Sequence, residues 1–233
     1  MLKTIVRKEL RELLPFVALA LLIQIFLICA ATGANLGGLA WIVYVLLPSA
    51  GNGVIPFVGD LYCVAMLVVS GLLAVAVGLW QTMWEANRGT FQFLLHRPFS
   101  RSGVIAAKLS VGIALCLLTA FLPLVYYAVW AASPGTNASP FDWSMTTNTW
   151  VNCAQIPLLY LAAFLCGLRE ARWFGSRCFP LAAGLLLLFV FLLSQVLSVW
   201  VVGASLMLLL LSLAAESCFA LVILQVGRTR DFS

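Results

Sequence analysis

Charge is what this chain lacks. Only 9% of its 233 residues are Asp, Glu, Lys or Arg, against about 25% in a soluble domain. So few charges cannot cover a water-facing surface, which excludes a soluble globular domain, and disorder and coiled coil with it. Histidine is nearly absent as well. His96 stands alone in a basic stretch, so no metal ligand is read there. The apolar runs contain no GxSxG, HExxH or paired-carboxylate arrangement, so hydrolase and metal-enzyme chemistry have no visible machinery. A GxxxxGK(S/T) phosphate cradle is missing too, so the chain does not hold nucleotide in the usual way. The seven cysteines form no CxxC pair. Six sit in or at the ends of apolar runs, where a thiol packs as a small hydrophobe. A Cys63–Cys153 bridge near the outer face is conceivable, though spacing alone does not place the two Cβ atoms. No catalytic residue, metal or cofactor is expected.

What the chain has is hydrophobicity: 64% apolar residues and a mean hydropathy of +1.09. Its apolar runs continue unbroken for about twenty residues, the length of a membrane-spanning helix. Barrel strands would instead alternate apolar and polar residues over about ten. The expected fold is an all-α integral membrane protein, a single transmembrane domain over residues 1–233 with six spanning helices. These fall at about 15–34, 61–83, 104–131, 151–168, 179–200 and 203–226. Residues 1–14 read as an amphipathic helix lying along the headgroups, with Lys3, Arg7, Lys8, Glu9, Arg11 and Glu12 on its polar side. This helix lacks the small-residue cleavage site of a signal peptide and is read as retained. Pro15 is expected to break direction, and Pro123 to kink the third span. Ser70, Ala74 and Gly78 form a small-residue stripe that invites close helix approach. Residues 35–60 read as an outer loop with an interfacial piece around Trp41 and Tyr44.

A net charge of +5 would suggest nucleic acid in a soluble protein. Here it reports loops on one side of a membrane, and no nucleic-acid partner is expected. All thirteen Lys and Arg residues fall at residues 3–11, 88–108, 169–177 and 228–230. The outer loops keep only Asp60 and Asp142. The positive-inside rule then places both termini in the cytoplasm of a multi-pass protein in the cell (plasma or inner) membrane, with membrane lipids as its surroundings.

The least generic stretch joins the second and third spans, residues 85–103. Gly89 permits a turn, Thr90 can cap a short helix over Phe91 to Leu95, and Pro98 ends it. Ser100 or Ser102 can cap the next helix. Phe91, Leu94 and Leu95 share one side of the short helix. That suits either a knob for a groove on a cytoplasmic partner or an interfacial helix packed on lipid.

The string Glu85…Gly89-Thr90…Leu94-Leu95…Arg97-Pro98…Ser100-Arg101…Lys108 resembles the signature of ABC-2 type transporter permeases. The Arg7-Lys8-Glu9-Leu10 run is similar to that family's opening helix. Gln92 stands where the family often has an acid, and the link between the fifth and sixth spans is shorter than in many members. The resemblance implies the permease subunit of an ATP-binding-cassette exporter, itself non-catalytic. It implies two copies of a separate ATPase and a second permease half, a homodimer or a related chain. Phe91–Leu95 would be the coupling helix in the ATPase groove, Glu85 and Arg88 would anchor its hinge, and Arg97 and Arg101 would line the seam. The mostly apolar spans favour a lipid-like or amphipathic substrate. The alternative is a membrane assembly or scaffold protein whose loop docks another partner.

Glu216 is the one acid well inside a span. A charge at such depth costs roughly 2.5–3.5 kcal/mol on insertion scales, so its face should point at protein. Ser205 and Ser212 share that face. By depth, Gln24 and Thr119 lie nearest, and a hydrogen bond from Glu216 to one of them is expected. It reads first as an interhelix packing bond and second as a polar point on a substrate path.

Overall fold

The computed structural model describes residues 2–32, 55–57, 61–84, 101–136, 141–169, 174–197 and 204–229. All regular structure among them is helical. Helix α1 covers Leu2–Ala31 and α2 covers Leu61–Leu79, the latter running into a π-helical turn at Trp80–Trp84. Helix α3 covers Arg101–Ala132. A short 3₁₀ turn, Trp143–Thr146, leads into α4 (Thr147–Ala154) and α5 (Ile156–Leu168). Helices α6 (Phe174–Leu197) and α7 (Ala204–Thr229) follow. Six helical stretches are long and apolar enough to cross a membrane: Lys3–Ala31, Tyr62–Trp84, Ser102–Ala132, Trp143–Leu168, Ser176–Leu193 and Met207–Val226.

Three boundaries differ from the sequence expectation. No break occurs at Pro15, which lies inside a continuous 30-residue α1. Pro15 lies on the exposed side of the helix, and the residues before it continue the same helix without a turn. Helix α3 starts at Arg101, so Ser102 lies within the helix and does not cap it. The fourth span is two helices, α4 and α5, with Gln155 between them as a non-helical joint. Of the outer loop, Ile55 to Phe57 is described. Phe57 is buried, its ring 5.0 Å from that of Tyr127 and 6.2 Å from that of Phe141. Trp41 and Tyr44 lie outside the described residues. None of the seven cysteines, Cys63 and Cys153 included, is in a disulfide.

Helix α5 is the axis of the bundle. All thirteen of its residues are buried, so it has no lipid-facing side and no amphipathic pattern. Its neighbours must therefore come close on every side, and in lipid that closeness is what holds helices together. The stripe on α2 provides it. Ser70 and Ala74 are fully buried, and a Cβ on Gly78 would lie 2.7 Å from the Tyr160 carbonyl oxygen and 2.9 Å from the Ala163 Cβ. On α3, a Cβ at Gly112 would overlap the Tyr160 phenol. Helices α6 and α7 expose apolar side chains such as Leu186, Phe189, Met207 and Leu221, the pattern of an outer wall.

Gly78→Ala is expected to destabilise the protein by about 1–3 kcal/mol, because its contact is with backbone that cannot rotate away. Val68→Ala, at an exposed position of the same helix, should stay within about 0.5 kcal/mol. Unfolding of the two variants in detergent measures the difference.

Candidate functional site

Helix α1 turns one stripe inward along its whole length: Val6, Glu9, Leu13, Val17, Ala20, Gln24 and Leu27, three or four residues apart. Glu9 belongs to this stripe, and that overturns its reading as part of an exposed polar face. Helix α3 has the same kind of stripe, with Ile105, Lys108, Gly112 and Cys116 buried. Lys108, counted in the sequence among the basic residues of an inner surface, is wholly buried instead. Gln81, in the π-helical turn that ends α2, completes the convergence.

The geometry is that of a closed polar joint. The Lys108 Nζ lies 2.7 Å from the Glu9 Oε1. The Gln81 Nε2 donates to the Glu9 Oε2 at 2.9 Å. The Tyr160 hydroxyl donates to the Gln81 Oε1 at 2.6 Å. The Lys108 backbone carbonyl is within 3.5 Å of the Gln81 Nε2 and 3.3 Å of the Tyr160 hydroxyl. Glu9 is 1% exposed, Gln81 2%, and Lys108 and Tyr160 0%. Both carboxylate oxygens therefore have donors, and both ends of the amide are used. A buried charge pair is tolerated when its remaining lone pairs are met in this way. Four elements are tied at one level: α1, the end of α2, α3 and the central α5. Just beside the joint, the Trp80 ring stacks on Trp84 at 4.3 Å and lies 4.8 Å from Phe16. Each polar side chain of the joint is bonded to another of its members, which suits it to hold helices in position. It marks the two roots of the loop: Gln81 stands four residues before Glu85, and Lys108 eight after Ser100.

No family model, curated protein or solved structure matches this chain.

Of the residues assigned to ATPase coupling, Glu85, Arg88, Gly89, Thr90, Phe91, Leu94, Leu95, Arg97 and Pro98 lie outside the described residues, as does His96. Arg101 is the first residue of α3. The intramembrane polar residues are placed as follows. Gln24 is buried and donates from Nε2 to the Ser70 Oγ at 2.8 Å, joining α1 to α2. Thr119 bonds back to the Leu115 and Cys116 carbonyls of its own helix at 3.0 and 2.9 Å. Ser212 does the same, to the Leu209 carbonyl at 2.8 Å. The expected bond from Glu216 to Gln24 or Thr119 is not formed: Gln24 turns to Ser70 on α2, and Thr119 to the backbone of its own helix. Glu216 is half-buried on α7, and its Oε1 has no hydrogen-bond partner. Sequence reasoning missed Glu9, Gln81, Lys108 and Tyr160 as a group. The signal was the phase of Glu9 and Lys108 within stripes that are otherwise apolar.

Lys108→Met strands the Glu9 carboxylate and is expected to cost about 3–5 kcal/mol. The double variant Glu9→Leu/Lys108→Met removes both charges and should recover most of that loss. A double-mutant cycle of unfolding free energies in detergent tests it, and additive single effects would mean the two groups do not act as a pair.

Proposed function

We propose that this chain is the membrane-spanning permease subunit of an ATP-binding-cassette transporter. On this reading it exports a lipid-like or amphipathic substrate, pairs with a second permease half, and is driven by two copies of a separate ATPase docked on residues 85–103. Both termini face the cytoplasm. The ABC-2-like string between Glu85 and Lys108 suggests the partner, and the clustering of the Lys and Arg residues other than the buried Lys108 at the loops and ends assigned to one side supports the orientation.

The observation that carries the reading is the buried joint at the roots of that segment. A lever works only if its mounting does not flex. Gln81 and Lys108 bracket the segment, and their bonds to Glu9 and Tyr160 fasten both roots to α1 and to the fully buried α5. A push from ATP-driven closure would then be delivered to four helices as one body, rocking this half against its partner. A lipid-like cargo suits the apolar surfaces. One such surface is an apolar groove of about 700 Å³ on α3, lined by Leu117, Leu118, Phe121, Leu122, Val125 and Tyr126 among others.

Purification of the full chain from its native membrane is expected to bring down a protein with a GxxxxGK(S/T) phosphate cradle. Deleting Phe91–Leu95 should release that protein and abolish transport while the deleted chain still inserts. Absence of any such ATPase from the wild-type complex, or transport that survives the deletion, overturns the reading and favours a scaffold whose loop docks another partner.

A further inference from the structure

The inward bond of Glu9 has a counterpart on the other side of α1. Because Glu9 is held by Lys108 and Gln81, the helix cannot roll, and the residues on its opposite side are presented outward at a fixed angle. Arg7 and Arg11 lie on that opposite side, and with Thr4, Lys8 and Glu12 they line a groove of about 610 Å³. The Lys8 Nζ lies 3.8 Å from the Glu12 Oε1, so that charge is locally balanced. Arg7 and Arg11 are exposed, and among the described residues neither pairs with a carboxylate. They stand one helical turn apart, about 5–6 Å between Cβ atoms, and so can fork onto one phosphate from two directions.

Depth gives the source of that phosphate. A hydrocarbon core about 30 Å thick takes about twenty helical residues. Counted back from the end of α1 at Ala31, that reaches Glu12. Arg7 to Arg11 then occupy the next 8 Å or so, at about 1.5 Å per residue, which is the headgroup layer. Trp80 and Trp84, stacked beside Phe16, are the interfacial aromatics expected at that level. Leu10 and Leu14, 45% and 55% exposed, flank the cations with apolar surface for the first carbons of an acyl chain.

We infer that Arg7 and Arg11 form a binding site for the phosphodiester headgroup of an anionic glycerophospholipid, seated against the outward face of α1. A zwitterionic lipid offers the same phosphate but adds an ammonium, which two guanidinium groups repel. The site does not depend on the ATPase and is tested on the chain alone.

Native mass spectrometry of the full chain, titrated with phosphatidylglycerol or phosphatidylcholine of matched acyl chains, reads the preference. At roughly 1 kcal/mol per interfacial cation, two arginines correspond to about a thirtyfold preference for phosphatidylglycerol. R7Q/R11Q is expected to bring the two lipids to near parity. R228Q/R230Q removes the same charge at the other end of the chain and should keep the preference. Millimolar inorganic phosphate should leave lipid binding unchanged. Equal binding of the two lipids by wild type overturns the site. So does an equal loss in both double variants, which would indicate a diffuse field, and so does displacement by phosphate, which would indicate a free-anion site. If R7Q/R11Q does not fold, wild type in nanodiscs decides. Its stabilisation by phosphatidylglycerol over phosphatidylcholine must fall steeply between 0.1 and 1 M salt, as the screening length drops from about 10 to about 3 Å. A salt-independent difference overturns the proposal.

Discussion

A lysine and a glutamate, both out of reach of solvent, face each other 2.7 Å apart at one end of an otherwise apolar bundle. Taking either ion out of water alone costs several kcal/mol, and their mutual attraction repays this only when every remaining lone pair and proton is met. That condition explains why Gln81 and Tyr160 are where they are. The amide gives its N–H to the carboxylate and its oxygen to the phenol. Such a pair adds little net stability over a well-packed apolar alternative, but the penalty for separating its members is large. Its effect is to exclude other arrangements. Any roll of α1 or slide of α3 that parts Glu9 from Lys108 leaves a bare charge in a low-dielectric interior.

The same logic recurs higher in the bundle at lower stakes. Gln24 and Ser70 tie α1 to α2 fifteen residues beyond Glu9, about 22 Å along the helix. Two ties at that separation fix both the rotation and the register of α1, where a single tie leaves a pivot. Between them the contact is apolar and must be specified by shape. Helix α5 supplies the shape. With no exposed side, it selects partners by how near they can come, so Gly78 and Gly112 are as necessary to its packing as Tyr160 is. The two ideas meet at Tyr160. Its backbone carbonyl bounds the space at Gly78, its ring fills the space above Gly112, and its hydroxyl closes the polar joint.

The spans were legible because runs of about twenty apolar residues have few other physical meanings. Which way each helix faces was less so. Hydropathy assigns charge to water, so Glu9 went to a surface-lying polar face and Lys108 to an inner loop. Yet Glu9 falls in phase with Leu13, Val17 and Ala20, and Lys108 with Ile105 and Gly112. A stripe set by several apolar residues outweighs the preference of the one ion within it, provided that ion finds a partner. Pro15 misled for a related reason. Proline disrupts a helix by the hydrogen bond it removes and the clash it makes, yet α1 continues through Pro15 on its exposed side. Glu216 was matched by depth alone, and depth says nothing about which residues share an azimuth. Gln24 faces α2, and Thr119 bonds its own backbone. The coupling motif remains a statement about sequence, since residues 85–100 lie outside those described.

The two sides of α1 complete one mechanical argument. A lever needs a rigid mounting and also a ground against which the mounting pushes. Four helices locked at the Glu9–Lys108 joint give the first. On the proposed reading a bundle free in a fluid bilayer has no second, because a force on its loop-bearing end tilts or lifts the whole body. On the lipid-site inference, cations at headgroup depth on α1 oppose that motion. Lifting Arg7 and Arg11 out of the phosphate layer loses their ionic contacts, and sinking them requires their desolvation. The residue that fixes the roll of α1 therefore also aims its anchors, since Glu9 lies between Arg7 and Arg11 in sequence and opposite them on the helix. Losing the inward bond would free the outward face to turn, so the tightness of the bundle and its seating in the membrane depend on the same carboxylate.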